Sequence, residues 1–228
     1  MIPARYGSTR LPGKPLADVG GMPLVVRVAE GAGTASGARI VVATDDDRIR
    51  TAVETAGFEC VMTSPDAPSG TARAAEAWRI LGRPPGRIVN VQGDEPMVTG
   101  AWIEAVTSVP PADDLVVTLA RRADPAEAGE PSCVKVVLDD DGCAMYFSRR
   151  QIPWGAEEWL QHIGVYCFSP AVLDAVVAMP ESAPARAERL EQLSWMSAGF
   201  RIRVVTGDFP GIGVDTPEDL ERCRRLFR

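Results

Sequence analysis

The sequence predicts an α/β fold with a mixed, mostly parallel central sheet, and three observations lead there. Short apolar runs of strand length alternate with amphipathic stretches of helical period. Acidic or glycine-rich turns follow the carboxyl ends of several of those runs. The 228 residues are 46% hydrophobic and 24% charged, ordinary values for a globular chain long enough to bury a core as one large domain. A single domain over 1–228 is the expectation, with no linker, repeat or low-complexity tract.

In chain order, only Met1 and Ile2 precede a loop over 3–15. The strand that should feed that loop is either a stub or starts upstream of this sequence. Helices are predicted near 23–33 and 46–56, around a strand at 40–44 that ends on Asp45-Asp46-Asp47. The stretch 70–81 reads as an amphipathic helix opened by Ser69-Gly70-Thr71, and 88–92 as a buried strand ending on Gly93-Asp94-Glu95-Pro96. A helix near 101–108 and a strand at 115–120 follow. Strands at 133–138, 144–147 and 163–168 lie close together, with turns at Asp140-Asp141-Gly142 and Pro153-Trp154-Gly155. That crowding predicts a small antiparallel extension over 132–168. Helices near 170–178 and 187–198 flank the approach to a strand at 201–206. The last helix, 217–227, starts with a hydroxyl cap, a proline and an acid at the third position: Thr216-Pro217-Glu218-Asp219.

Composition excludes several classes. A net charge of −7 argues against nucleic acid as a partner, because such proteins carry a basic face. No apolar run reaches membrane-spanning length and no leader pattern appears, so no membrane partner and a cytoplasmic location are the default expectations. The five cysteines are scattered and odd in number, which fits buried thiols better than disulfides or structural zinc. With His162 as the one histidine, His-rich metal sites are excluded.

The chemistry is concentrated in four places. The loop Arg5-Tyr6-Gly7-Ser8-Thr9-Arg10-Leu11-Pro12-Gly13-Lys14 gathers three cations, two glycines and two hydroxyls in an acidic protein. Its glycines permit close approach and positive φ, and its hydroxyls and backbone amides can donate to phosphate oxygens. It reads as a grip for a nucleoside triphosphate. Lysine is two of the 24 cations, Lys14 and Lys135; a chain that otherwise uses arginine can keep lysine where a compact ammonium is needed, or the two can be chance. Asp94, at a strand's carboxyl end, is a hard oxygen ligand suited to Mg²⁺; a turn acid capping the next helix is the other reading. Asp215, in Gly213-Val214-Asp215-Thr216, is a candidate second carboxylate for the same ion, or part of a loop with a cap. His162, Gly164 and Tyr166 share one strand face, where a lone histidine is either structural or functional.

Taken in order, the loop 4–14, Ser69-Gly70-Thr71, Val91-Gln92-Gly93-Asp94-Glu95-Pro96, Tyr146-Phe147-Ser148-Arg149, Ile152-Pro153-Trp154, His162-Ile163-Gly164-Val165-Tyr166, Leu190-Glu191-Gln192-Leu193 and Gly213-Val214-Asp215-Thr216-Pro217 resemble the 3-deoxy-manno-octulosonate cytidylyltransferases across nearly the whole chain. The resemblance implies a Rossmann-like nucleotidyltransferase fold, a homodimer with 132–168 as a dimerisation and acceptor subregion, and Mg²⁺ dependence. It implies that Arg5, Gly7, Ser8, Arg10 and Lys14 hold CTP, with Ser69, Thr71 and Arg73 near the nucleotide. Asp94 and Asp215 would hold the metal. Gln92, His162, Tyr166, Glu191 and Gln192 would meet the acceptor. Attack of an acceptor oxygen on the α-phosphorus, with pyrophosphate leaving, asks chiefly for positioning and charge neutralisation. Lys14, Arg10, Asp94 and Asp215 are the catalytic candidates.

The chain departs from that family on the acceptor side. The segment 155–161 is short and lacks the family's extra basic residues, Gln161 stands where Arg is usual, and Ser194 stands where Arg follows Glu-Gln-Leu. The departures suggest a smaller anionic acceptor, such as the phosphonate phosphonoformate in antibiotic biosynthesis. The alternatives are the eight-carbon sugar acid itself, and a nucleotide-binding regulator without turnover.

Overall fold

A computed structural model describes residues 1–7 and 11–227. The chain divides into two compact units, the first made of Met1–Pro85, Asn90–Glu104 and Pro210–Arg228, the second of Gly86–Val89 and Ala105–Phe209.

The first unit starts with β1 (Ile2–Ala4), three residues that are all buried. β1 pairs in parallel with β2 (Val41–Thr44), and β2 with β3 (Glu59–Met62). Every residue of β2 is buried, as a central parallel strand requires. β3 escapes the sequence pattern because it ends the sheet and fully buries one residue, Val61. Around this sheet stand α1 (Leu24–Ala32), α2 (Asp47–Thr55) and α3 (Gly70–Ile80), while α4 (Gly100–Ser108) has its first residues in this unit and its last in the second. Asp46 caps α2 by accepting from the Arg48 amide, and Ser69 caps α3 by accepting from the Ala72 amide. A core of Val41, Ala43, Val61 and Ala77 lies between sheet and helix. A second, of Val19, Leu24, Val214, Leu220 and Cys223, seats the last helix, Pro217–Leu226.

The second unit carries the antiparallel extension. Its strands are β5 (Leu115–Arg122), β6 (Lys135–Leu138), β7 (Ala144–Ser148), β8 (Leu160–Phe168) and β9 (Arg201–Thr206), in the spatial order β7-β6-β8-β5-β9. β5 runs parallel to β9 and antiparallel to β8, and β6 is antiparallel to both β7 and β8. The mixed, mostly parallel α/β class and its antiparallel extension are as the sequence predicts. Strand β4 (Ile88–Val91), whose first two residues belong to this unit, pairs with β8.

One local expectation needs correction, and one open reading is narrowed. The helix predicted near 187–198 is two helices, α6 (Ala183–Glu188) and α7 (Gln192–Ser197). Arg189 between them takes φ 55°, a left-handed conformation that ends a helix. The helix already introduced at Pro217–Leu226 is α8, after α5 (Pro170–Val177). Lys135 gains no functional setting. It is fully buried, and its ammonium donates to the backbone carbonyls of Glu130, Cys133 and Arg149. It ties a loop together, which explains a lysine there without a ligand. Four of the five thiols are buried and Cys60 is half-buried, all unbridged. No helix among the described residues is long and apolar enough to cross a membrane.

Candidate active site

Four chain segments of the first unit converge on one cavity of about 260 Å³, lined among others by Arg5, Lys14, Ser69, Arg73, Gln92, Asp94 and Asp215. Local rules place each piece. β1 delivers Arg5 at its carboxyl end. Tyr6 then closes the loop, its carbonyl accepting from the Gly13 amide at 3.2 Å. Gly13 holds φ 70°, which a side chain would resist, and turns the chain into the 3₁₀ turn Lys14–Leu16. The Arg48 guanidinium lies 3.4 Å from the centre of the Tyr6 ring and braces the loop from α2.

Asp94 arrives from β4. The Val91 amide donates to the Met1 carbonyl, so the end of β4 runs beside β1. Gly93 is required there, since a Cβ would stand 2.7 Å from the Pro3 carbonyl oxygen. Asp215 is brought in from the opposite end of the chain. The Val214 amide donates to the Asp94 carbonyl at 2.9 Å, and the α8 cap fixes the next residues, with Asp219 accepting from the amides of Asp215 and Thr216.

The result is a three-charge cluster. The Lys14 ammonium donates to Asp94 Oδ2 at 2.8 Å and to Asp215 Oδ1 at 3.1 Å. Its side chain is 14% exposed, against 28% and 31% for the two acids. Burial opposes the charge on Lys14, but the two carboxylates outweigh it and raise its pKa above 10.5. Two carboxylate oxygens that share one ammonium are also close enough to share one divalent cation. Hard oxygen donors on the wall of an open cavity suit Mg²⁺, which takes one or two protein carboxylates and completes its shell with phosphate oxygens and water. Asp94 and Asp215 therefore fit that ion. Among the described residues no cluster of three or more His, Cys, Asp or Glu side chains adds to them.

The other nucleotide-side expectations divide. Arg5 and Ser69 line the cavity, as does Arg73. Arg73 is buried, donating to Thr63 Oγ1 at 2.6 Å and to Asp45 Oδ2 at 2.9 Å. Thr71 is buried with its hydroxyl accepting from the Asn90 side-chain amide, and it is not among the cavity-lining residues. Gly7 is exposed and likewise does not line it. Ser8 and Arg10 lie outside the described residues. Asp45 is the residue the sequence reading passed over. It follows a buried strand just as Asp94 does, and that signal was available.

Gln92, expected near the acceptor, lines this same cavity. The other residues expected to meet the acceptor, His162, Tyr166, Glu191 and Gln192, belong to the second unit. His162 and Tyr166 have ring centroids 5.4 Å apart, and Tyr166 meets Trp195 edge-on at 5.1 Å. Burial, with the Glu191 charge adding to it, pushes the Tyr166 pKa well above 10. Gln192 is buried with no hydrogen-bond partner for Nε2 among the described residues. Burial drives the His162 imidazole down to about 3, so the ring is neutral. The departures at 161 and 194 have structural uses. Gln161 accepts from the Arg121 guanidinium, and Ser194 accepts from the Ser182 amide.

Comparison with known proteins gives one consistent answer. A family model described as Cytidylyltransferase matches residues 1–202. The chain is 46% identical over 233 residues to the 3-deoxy-manno-octulosonate cytidylyltransferase of Anaeromyxobacter sp. (strain K), covering 100% of this chain and 96% of that one. It is 42% identical to the enzyme of the same name from Porphyromonas gingivalis, covering 100% and 95%. Among solved structures, a CMP:2-keto-3-deoxy-manno-octonic acid synthetase complexed with CTP superposes with a TM-score of 0.89 at 41% identity, over 99% of this chain and 95% of that one. A cytidylyltransferase from Leptospira borgpetersenii shares the fold at 16% identity, with a TM-score of 0.65 over 98% and 83%. The sequence-stretch expectation of a phosphonate acceptor gains no support from these relatives. The sugar-acid alternative is the better supported of the two.

Proposed function

The chain belongs to the cytidylyltransferase family, and we propose that it transfers CMP from CTP to 3-deoxy-manno-octulosonate, releasing pyrophosphate. The observation that carries the reading is the Lys14–Asp94–Asp215 cluster on the cavity wall, in a chain more than 40% identical over its full length to enzymes named for that sugar acid.

In this reading Arg5 and Lys14 neutralise the triphosphate, and Ser69 and Arg73 border the nucleotide. Asp94 and Asp215 hold Mg²⁺, which when bound supplies positive charge at the phosphates. Lys14 exchanges its carboxylate partners for phosphate oxygens as the nucleotide enters. No covalent enzyme intermediate is needed, since in-line displacement at phosphorus is served by orientation and neutralisation. His162, Tyr166, Glu191 and Gln192 recognise the acceptor. Arg10 and Ser8 keep the phosphate-binding role the resemblance implies. A homodimer is part of the reading, supported by β7 at the end of the strand path, where Met145 is 61% exposed, and by Trp154, which is fully exposed.

The test is pyrophosphate release with CTP and Mg²⁺ against two acceptors, the sugar acid and phosphonoformate. Turnover with the sugar acid supports the proposal. Turnover with phosphonoformate alone, or none with either acceptor alongside CTP binding, overturns it.

A further inference from the structure

We propose that Thr118 is a positioning residue for the acceptor, one that locks His162 in the Nε2–H tautomer and so makes its Nδ1 a hydrogen-bond acceptor for a hydroxyl of the sugar. This rests on the acceptor reading above and adds to it the chemistry that His162 recognises.

The geometry lies wholly within the second unit. Between the rungs Thr118↔Tyr166 and Leu119↔Ile163 the β5–β8 register takes one step on β5 against three on β8. Gly164 and Val165 are left without rungs, and β8 bulges. The Thr118 hydroxyl fills the bulge, fully buried. Its Oγ1 stands 2.8 Å from the Val165 carbonyl oxygen, 3.2 Å from that of Ile163 and 3.0 Å from His162 Nε2.

Those three contacts favour one proton arrangement over the other. A carbonyl oxygen can only accept, and a hydroxyl has one hydrogen. If that hydrogen pointed at His162, the hydroxyl oxygen would face two carbonyl oxygens at 2.8 and 3.2 Å with no proton between either pair, lone pair against lone pair. The hydrogen therefore goes to a carbonyl, and the 3.0 Å contact requires the proton to sit on Nε2 and point to Oγ1. The ring is neutral, since burial holds its pKa near 3, so it carries one proton in all and Nδ1 keeps a lone pair. Phe147 and Tyr166, with centroids 5.0 and 5.4 Å away, hold the ring plane. A neutral lone pair repels a carboxylate and welcomes an O–H. His162 thus reads a hydroxyl, and the negative charge of the acceptor must be met elsewhere.

His162 is the chain's one histidine, so a long-range ¹H–¹⁵N spectrum of the full-length labelled protein contains one imidazole. The expected spectrum shows a protonated Nε2 and an unprotonated Nδ1, unchanged between about pH 5 and about pH 8. A protonated Nδ1 or an imidazolium in that range overturns the proposal even if no variant folds. In Thr118→Val the spectrum should lose its single-tautomer pattern, and the KM for the sugar acid should rise about three- to tenfold, the loss of one neutral hydrogen bond, with the KM for CTP unmoved. Thr118→Ser should restore both. A valine variant with wild-type spectrum and wild-type KM for the sugar defeats the assignment. A locked Nε2–H tautomer in a protein that shows no turnover of the sugar acid would instead count against the acceptor reading and leave the tautomer standing.

Discussion

Replacing Lys14 by methionine isolates the energetics of the cluster. The variant keeps most of the side-chain length and removes the ammonium that faces Asp94 and Asp215. Exposed ion pairs contribute about 0–1 kcal/mol, whereas stripping one partner from a buried pair costs about 3–5 kcal/mol. With the three side chains 14, 28 and 31% exposed, the loss should fall between, near 2 kcal/mol, because one cation serves two acids. For a chain of this size that lowers Tm by roughly 4–8 °C. The pH dependence has a definite sign. Burial lowers the Lys14 pKa and the two carboxylates more than restore it, leaving the folded-state value above 10.5. A raised value means that the stabilisation is complete below 10.5 and fades only as pH climbs through the folded-state pKa. The gap between variant and wild type should therefore be constant across neutral pH and close in alkaline solution. Added Mg²⁺ without nucleotide should raise the Tm of Lys14→Met more than that of wild type, because the ion no longer competes with an ammonium. Urea melts at neutral and alkaline pH measure the loss and its pH dependence, and thermal melts with and without Mg²⁺ measure the Tm shifts. A variant within about 0.5 kcal/mol of wild type at neutral pH, or a gap that widens in alkali, would refute the account.

Asp94→Asn and Asp215→Asn should each cut pyrophosphate release about 100-fold or more while leaving far-UV circular dichroism unchanged; near-normal turnover in either would remove that residue from the reaction. Arg73→Met should lower unfolding stability by about 3 kcal/mol, since it leaves Asp45 and Thr63 without the guanidinium they share; a loss below about 1 kcal/mol would show the pair to be unimportant. For His162 the folded-state pKa is depressed to about 3 from 6.5. The unfolded chain then takes up a proton that the folded ring refuses, so this residue's contribution falls as pH drops from 6.5 toward 3. His162→Gln should be less acid-sensitive than wild type in equilibrium melts, and equal sensitivity would contradict the burial argument.

What the sequence alone determined is what local rules govern. Apolar runs of strand length marked β2, β4 and β5, and the box at Thr216 and Asp219 marked the start of α8, because periodicity and capping depend on residues a few positions apart. The same rules put Asp94 at a strand's carboxyl end and Asp215 before a helix cap. They failed where a single backbone torsion intervenes, as at Arg189 between α6 and α7, and where a strand at the sheet's end buries little, as in β3. Only the tertiary structure decided which charges meet. Lys14 stands 80 residues from Asp94 and 201 from Asp215, Arg73 finds Asp45 across α3 and β2, and Thr118 reaches His162 through a bulge in the β5–β8 ladder. Such meetings are set by sheet register and by the closure of long loops, and neither leaves a periodic trace in the chain.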